Sequence, residues 1–137
     1  MSLRKTPLML AGLLALSVSY AQNTGMSRDQ KQAEEDRIEQ TAKADKEACK
    51  SMSGNAKDVC EAEAKAKEKV AKAELDARFS GSERDRAKVA DIKAEAEYEV
   101  AKERCEDQEG DAQRNCKQQA KERERAARGE AGKAPKY

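Results

Sequence analysis

A cysteine motif occurs twice in this chain, and its spacing constrains the fold more tightly than any other feature. The first copy runs from Cys49 through Gly54, Asn55 and Ala56 to Cys60, the second from Cys105 through Gly110, Asp111 and Ala112 to Cys116. Both read C-x4-G-[N/D]-A-x3-C, and together they hold all 4 cysteines. Residues 46–71 laid on residues 102–127 give 10 identities in 26 positions, which marks an internal duplication.

Each copy places a glycine and then Asn or Asp between its cysteines. Glycine readily adopts the left-handed backbone that ends a helix, and Asn or Asp can cap the next helix through a side-chain oxygen. A chain that folds back at Gly54-Asn55 sets Cys49 opposite Cys60 across a helical hairpin, within reach of a disulfide. The same holds for Cys105 and Cys116 about Gly110-Asp111. Closing so short a loop contributes about 3 kcal/mol by constraining the unfolded chain. A second geometry competes. Along one continuous helix the spacing of 11 residues is close to three full turns, so each pair could share a face and bond to the other pair. That arrangement buries Gly54 and Gly110 inside helices at about 1 kcal/mol each. Turn dipeptides at the same place in both copies favour the hairpin.

The remaining sequence predicts helix, because Ala, Glu, Lys, Arg and Gln fill most positions. Ser27 and Gln30 form a capping-box pattern that opens a helix running to about Ser53. Asn55 caps a second helix reaching about Phe79, where Ser80-Gly81-Ser82 breaks it. Ser82 and Asp85 form another capping-box pattern. Gly110-Asp111 repeats the stop and cap, and the last helix frays near Arg128-Gly129. Glu61–Lys65, Glu63–Lys67 and Glu68–Lys72 are i,i+4 pairs in the favourable order. Val59, Ala62, Ala66, Val70, Ala73 and Ala77 make one mostly alanine face, and Val89, Ile92, Ala96 and Val100 another. The expected fold is all-α without β-sheet. Two tandem helical hairpins, residues 22–81 and 82–129, stack as an elongated up-down four-helix bundle with both staples at one end. Residues 130–137 form a disordered tail.

The N-terminus reads as an export signal. Arg4 and Lys5 precede an apolar run from Leu8 to Val18, and Ser19-Tyr20-Ala21 supplies a cleavage site after Ala21. The run is shorter than the roughly 20 residues of a membrane span, so stable membrane insertion after cleavage is not expected. No cysteine lies directly after it to carry a lipid. An even number of cysteines in an exported chain implies structural disulfides. The expected address is the periplasm.

Composition narrows the function. Loss of Arg4 and Lys5 takes the 28 basic residues to 26 against 27 acidic ones, a net charge of −1. Such balance gives no long-range pull toward nucleic acid or anionic lipid. With 3% aromatic and 40% charged residues, a thick core with a deep pocket is not expected. A catalytic thiol would need an activating base, and the chain has 0 histidines. The spacing within each motif does not match a zinc site, and no phosphate-binding glycine loop appears. The expectation is a protein with no catalytic residues, cofactor or metal, working through helix faces on an envelope protein or on itself. The alternative is a thiol-based redox or soft-metal-binding protein using the four cysteines, with Met52 nearby.

At these same residues the chain resembles a group of small exported, Ala/Lys/Glu-rich helical proteins of Gram-negative bacteria. The likeness is carried by residues 53–60 (Ser-Gly-Asn-Ala-Lys-Asp-Val-Cys), by residues 60–75 and by Val100-Ala-Lys-Glu-Arg-Cys105. Members are sometimes labelled TolA-like cell-envelope biogenesis proteins, a likeness of composition to the long helical region of TolA. The resemblance implies a small exported helical protein; the group's function is not established, and the expectation of a non-enzymatic structural, interaction or stress-related role in the envelope rests on the composition and the stapled hairpins. In the second motif only the turn and the cysteines carry over.

Overall fold

The computed structural model describes residues 25–131. The expected export signal with Ala21, and residues 132–137 of the expected tail, lie outside the described residues. Four helices account for nearly all of the rest: α1 Arg28–Cys49, α2 Gly54–Ser80, α3 Glu83–Arg104 and α4 Gly110–Ala131, with a short 3-10 turn at Cys105–Asp107. No strand occurs among the described residues.

Local chemistry sets the helix starts. Ser27 Oγ accepts from Gln30 N at 3.1 Å while Gln30 Oε1 accepts from Ser27 N at 2.9 Å, a complete capping box. At α3 only half of the expected box forms. Ser82 Oγ accepts from Asp85 N at 3.1 Å, but the Asp85 carboxylate takes the Ser82 hydroxyl at 2.8 Å. The Ser82 backbone N–H goes instead to Ser80 Oγ at 3.2 Å. Gly81 closes α2 with φ +65, its N–H bonded to Ala77 O at 3.0 Å.

Two helix ends differ from expectation. Helix α1 stops at Cys49 rather than near Ser53, because tight bonds from Lys50 N to Glu47 O (3.1 Å) and from Met52 N to Cys49 O (3.0 Å) curl the chain early. At the other end α4 continues through Arg128-Gly129 to Ala131. Glycine disfavours a helix by about 1 kcal/mol but does not break it.

Each helix packs against its neighbours in sequence: α1 on α2, α2 on α3, α3 on α4. Helices α1 and α4 share no extensive contact, so the four up-down helices form an open layer without a shared central core. Helix α2 consequently has two packed faces. Cys60, Ala64, Glu68 and Ala71 face α1, with Leu75 at the next helical step. Ala62, Ala66, Val70 and Ala73 face α3. Helix α3 repeats the arrangement, with Ile92, Ala96 and Val100 toward α2 and Ala94, Tyr98 and Ala101 toward α4. The deeply buried side chains are mostly small: Ala42, Ala64, Ala77, Ala94, Ala96 and Ala120, joined by Leu75, Cys49, Cys105 and one charged group, Glu124. Alanine faces let helices approach closely but remove little apolar area each, so the layer relies on cross-links and ion pairs.

Candidate functional site

The duplicated motifs form two helical turns at one end of the layer. Cys49 and Cys60 sulfurs stand 1.99 Å apart with Cα atoms at 5.6 Å, and those of Cys105 and Cys116 stand 1.97 Å apart with Cα atoms at 5.7 Å, both at disulfide distance. Each bond ties a helix C-terminus to the first turns of the next helix. The ion pair Arg104–Glu63 at 2.6 Å joins the end of α3 to the beginning of α2, which brings the two stapled turns to the same end. Cys49 and Cys105 are almost fully buried, whereas Cys60 and Cys116 are half-buried. No cysteine is left free.

Gly54 and Gly110 take the expected left-handed backbone, at φ 58 and φ 60. The residues after them do not act as caps. Asn55 is already inside α2, and its side-chain oxygen and nitrogen are both shielded without a hydrogen-bond partner. Its counterpart Asp111 lies in the first turn of α4, where it pairs with Arg114. Gly54 and Gly110 are the first residues of these helices, so the residue after each glycine is one step too late to cap. Met52, at the tip of the first turn, is 47% exposed.

Ion pairs fasten the helices side to side. Lys46 on α1 reaches Glu68 on α2 at 2.7 Å, and Lys72 bridges Glu68 (3.0 Å) to Glu39 of α1 (3.3 Å). Lys46 first and Lys72 second hold the Glu68 carboxyl below its ordinary range; Glu68 and then Glu39 raise Lys72. The second hairpin repeats the bridge at positions 56 residues on: Arg128 contacts Glu124 at 2.9 Å and Glu95 at 3.6 Å. Glu95 is held low chiefly by Lys69 of α2, which lies 2.5 Å from it. Of the three expected i,i+4 pairs only Glu68–Lys72 forms. Glu63 turns to Arg104 and Lys67 to Asp45, while Glu61 meets Lys57. For Glu63 and Lys67 the neighbouring helices offer opposite charges that a single-helix reading does not contain, whereas Glu61 turns to Lys57 on its own helix.

Two shallow grooves follow the α2–α3 seam on opposite sides of the layer. One, of about 370 Å³, is lined by Asp58, Glu61, Lys65, Lys69, Glu99 and Glu103. The other, of about 750 Å³, has Val70 and Val100 on its floor, with Lys67, Lys93, Arg104 and Arg123 around it. Both are open to solvent, and several of their charged groups pair with residues outside the groove, Lys69 with Glu95, Lys67 with Asp45, Lys93 with Glu74 and Arg104 with Glu63. Among the described residues no three His, Cys, Asp or Glu side chains gather so as to hold a metal ion, and no helix is long and apolar enough to cross a membrane.

Comparison with protein-family models, with characterised proteins and with solved structures finds no match.

Proposed function

We propose that this chain is a non-enzymatic periplasmic protein with a structural, interaction or stress-related role in the cell envelope, exported by the signal at residues 1–21. The single observation that carries the reading is the pairing of all four cysteines at disulfide distance in two equivalent turns. Staples of this kind suit an oxidising compartment and stabilise a layer whose buried side chains are mostly alanine. Partner recognition then falls to the helix faces and the stapled end. The resemblance to small exported Ala/Lys/Glu-rich proteins points the same way.

The test is expression from the native start in a Gram-negative host, followed by cell fractionation, N-terminal sequencing and a non-reducing peptide map. The expected result is a periplasmic chain beginning at Gln22 with Cys49–Cys60 and Cys105–Cys116 peptides. A cytosolic chain, or one with free thiols, would overturn the address and return redox or soft-metal chemistry to consideration. For the role, deletion of the gene should alter envelope permeability, restored by the exported chain but not by one lacking residues 2–21.

A further inference from the structure

The seam between the two hairpins has an equivalent surface at each end of the layer. Because the sequence repeats at an offset of 56, α1 corresponds to α3 and α2 to α4. The α2 face toward α3 carries Ala62, Ala66 and Val70, with Val59 one helical step before them, and all four are half-buried. Its counterparts on α4 are Asn115, Gln118, Glu122 and Ala126, all exposed. The α3 face that receives it carries Ile92, Ala96 and Val100, with Val89 one helical step before them. Its counterparts on α1 are Ala33, Asp36, Gln40 and Ala44, again all exposed. Hairpins stacked by such a seam would continue indefinitely if every copy carried both apolar faces, since a head-to-tail contact between copies does not close on itself.

We propose that the outer faces of α1 and α4 are polar end caps that stop hairpin stacking at two, so that a second copy of this chain does not add edge to edge. An α4-on-α1 contact in the register of α2 on α3 would bury Glu122, Gln118, Asp36 and Gln40 in place of Ala66, Ala62, Ile92 and Ala96, desolvating polar groups where the inner seam buries apolar ones. The flanking pair Glu63–Arg104 has become Gln119 and Ala48. Lys69–Glu95 keeps charged counterparts in Arg125 and Glu39, but a solvent-exposed pair contributes too little to hold copies together. The proposal concerns the described helices alone and does not depend on the cellular role.

Sedimentation velocity on the oxidised full chain tests it, with helicity followed by circular dichroism. One variant restores the inner sequence on α1 (A33V/D36I/Q40A/A44V) and a second restores it on α4 (N115V/Q118A/E122A/A126V). Wild type and each single-edge variant should sediment as monomers, an equimolar mixture of the two as a 1:1 complex, and the combined variant as species larger than dimers. A milder pair, D36A and E122A, serves if the full sets lose helicity; mixing them should raise the complexed fraction at least several-fold over wild type. Edge-dependent oligomers of wild type, self-association of either single-edge variant, or helical variants that stay monomeric when mixed would each overturn the proposal.

Discussion

The Glu124 carboxylate lies 2.9 Å from the Arg128 guanidinium and 2.6 Å from Lys121 Nζ, and its side chain is only 4% exposed. Its counterpart Glu68 has the same kind of bridge to Lys72, yet keeps 22% of its side-chain surface. A carboxylate taken further from water loses more when its partners go, because less solvent remains to replace them. Arg128→Ala, which takes a partner from the buried Glu124 carboxylate, is therefore expected to cost about 2 kcal/mol, and Lys72→Ala, which leaves Glu68 partly solvated and still paired with Lys46, less. Urea midpoints of the two variants check the order. A larger loss for Lys72→Ala would mean that its cross-helix link to Glu39 outweighs burial.

Acid should weaken the layer in a defined window. Glu68, Glu95 and Asp85 are all held below their ordinary values, Glu68 by Lys46 then Lys72, Glu95 by Lys69, Asp85 by the Ser80 and Ser82 hydroxyls. Depressed carboxyls bind fewer protons folded than unfolded, so their stabilisation is full above the unfolded values and lost as pH falls through the folded ones. Unfolding free energy should be level from pH 7 to about pH 5 and then decline. In Glu68→Gln the decline should be shallower. An equal slope in wild type and variant would remove Glu68 from the account.

Each staple should be separately measurable. Cys49→Ala with Cys60→Ala, and Cys105→Ala with Cys116→Ala, are each expected to lose about 2–4 kcal/mol. A reductant should lower the wild-type thermal midpoint in the same direction. If a pair can be removed without a shift in midpoint, the hairpin is held by packing alone.

Among the described residues Leu75 is the one large aliphatic side chain with no exposed surface. Leu75→Ala should cost roughly 2–5 kcal/mol through lost burial and the cavity left behind. Val70→Ala, on the half-buried opposite face, should cost under about 1.5 kcal/mol. Chemical denaturation of the pair measures the difference, and comparable losses would place the main apolar contact at the α2–α3 seam instead.

Asn55 and Gly54 separate two roles in the turn. Gly54→Ala should destabilise by about 1–2 kcal/mol, since the backbone there is left-handed. Asn55→Ala should be neutral or stabilising, because it removes two shielded polar atoms that have no partner. A loss near 1 kcal/mol, the usual consequence of deleting a helix cap, would restore the capping role to Asn55.

The helices, the all-α class and the two stapled turns were legible in the order of residues. Those features rest on short-range chemistry: glycine at Gly54, Gly81 and Gly110, serine at Ser27 and Ser82, and cysteines that meet as soon as the chain folds back. The stripe from Val59 to Ala77 was also legible, because one apolar period survives on that face. The remaining features arise from packing between helices. The second packed face of α2, running through Ala64, Glu68 and Leu75, was hidden because its charged glutamate is satisfied only by Lys46 of another helix. The destination of Glu63 and Lys67 likewise depended on Arg104 and Asp45, distant in sequence and adjacent in the fold. Whether four helices close into a bundle or lie open depends on what α1 and α4 present to each other. Helical period fixes the angle of each residue on its own axis, but only packing fixes which angles face a neighbour and which face water.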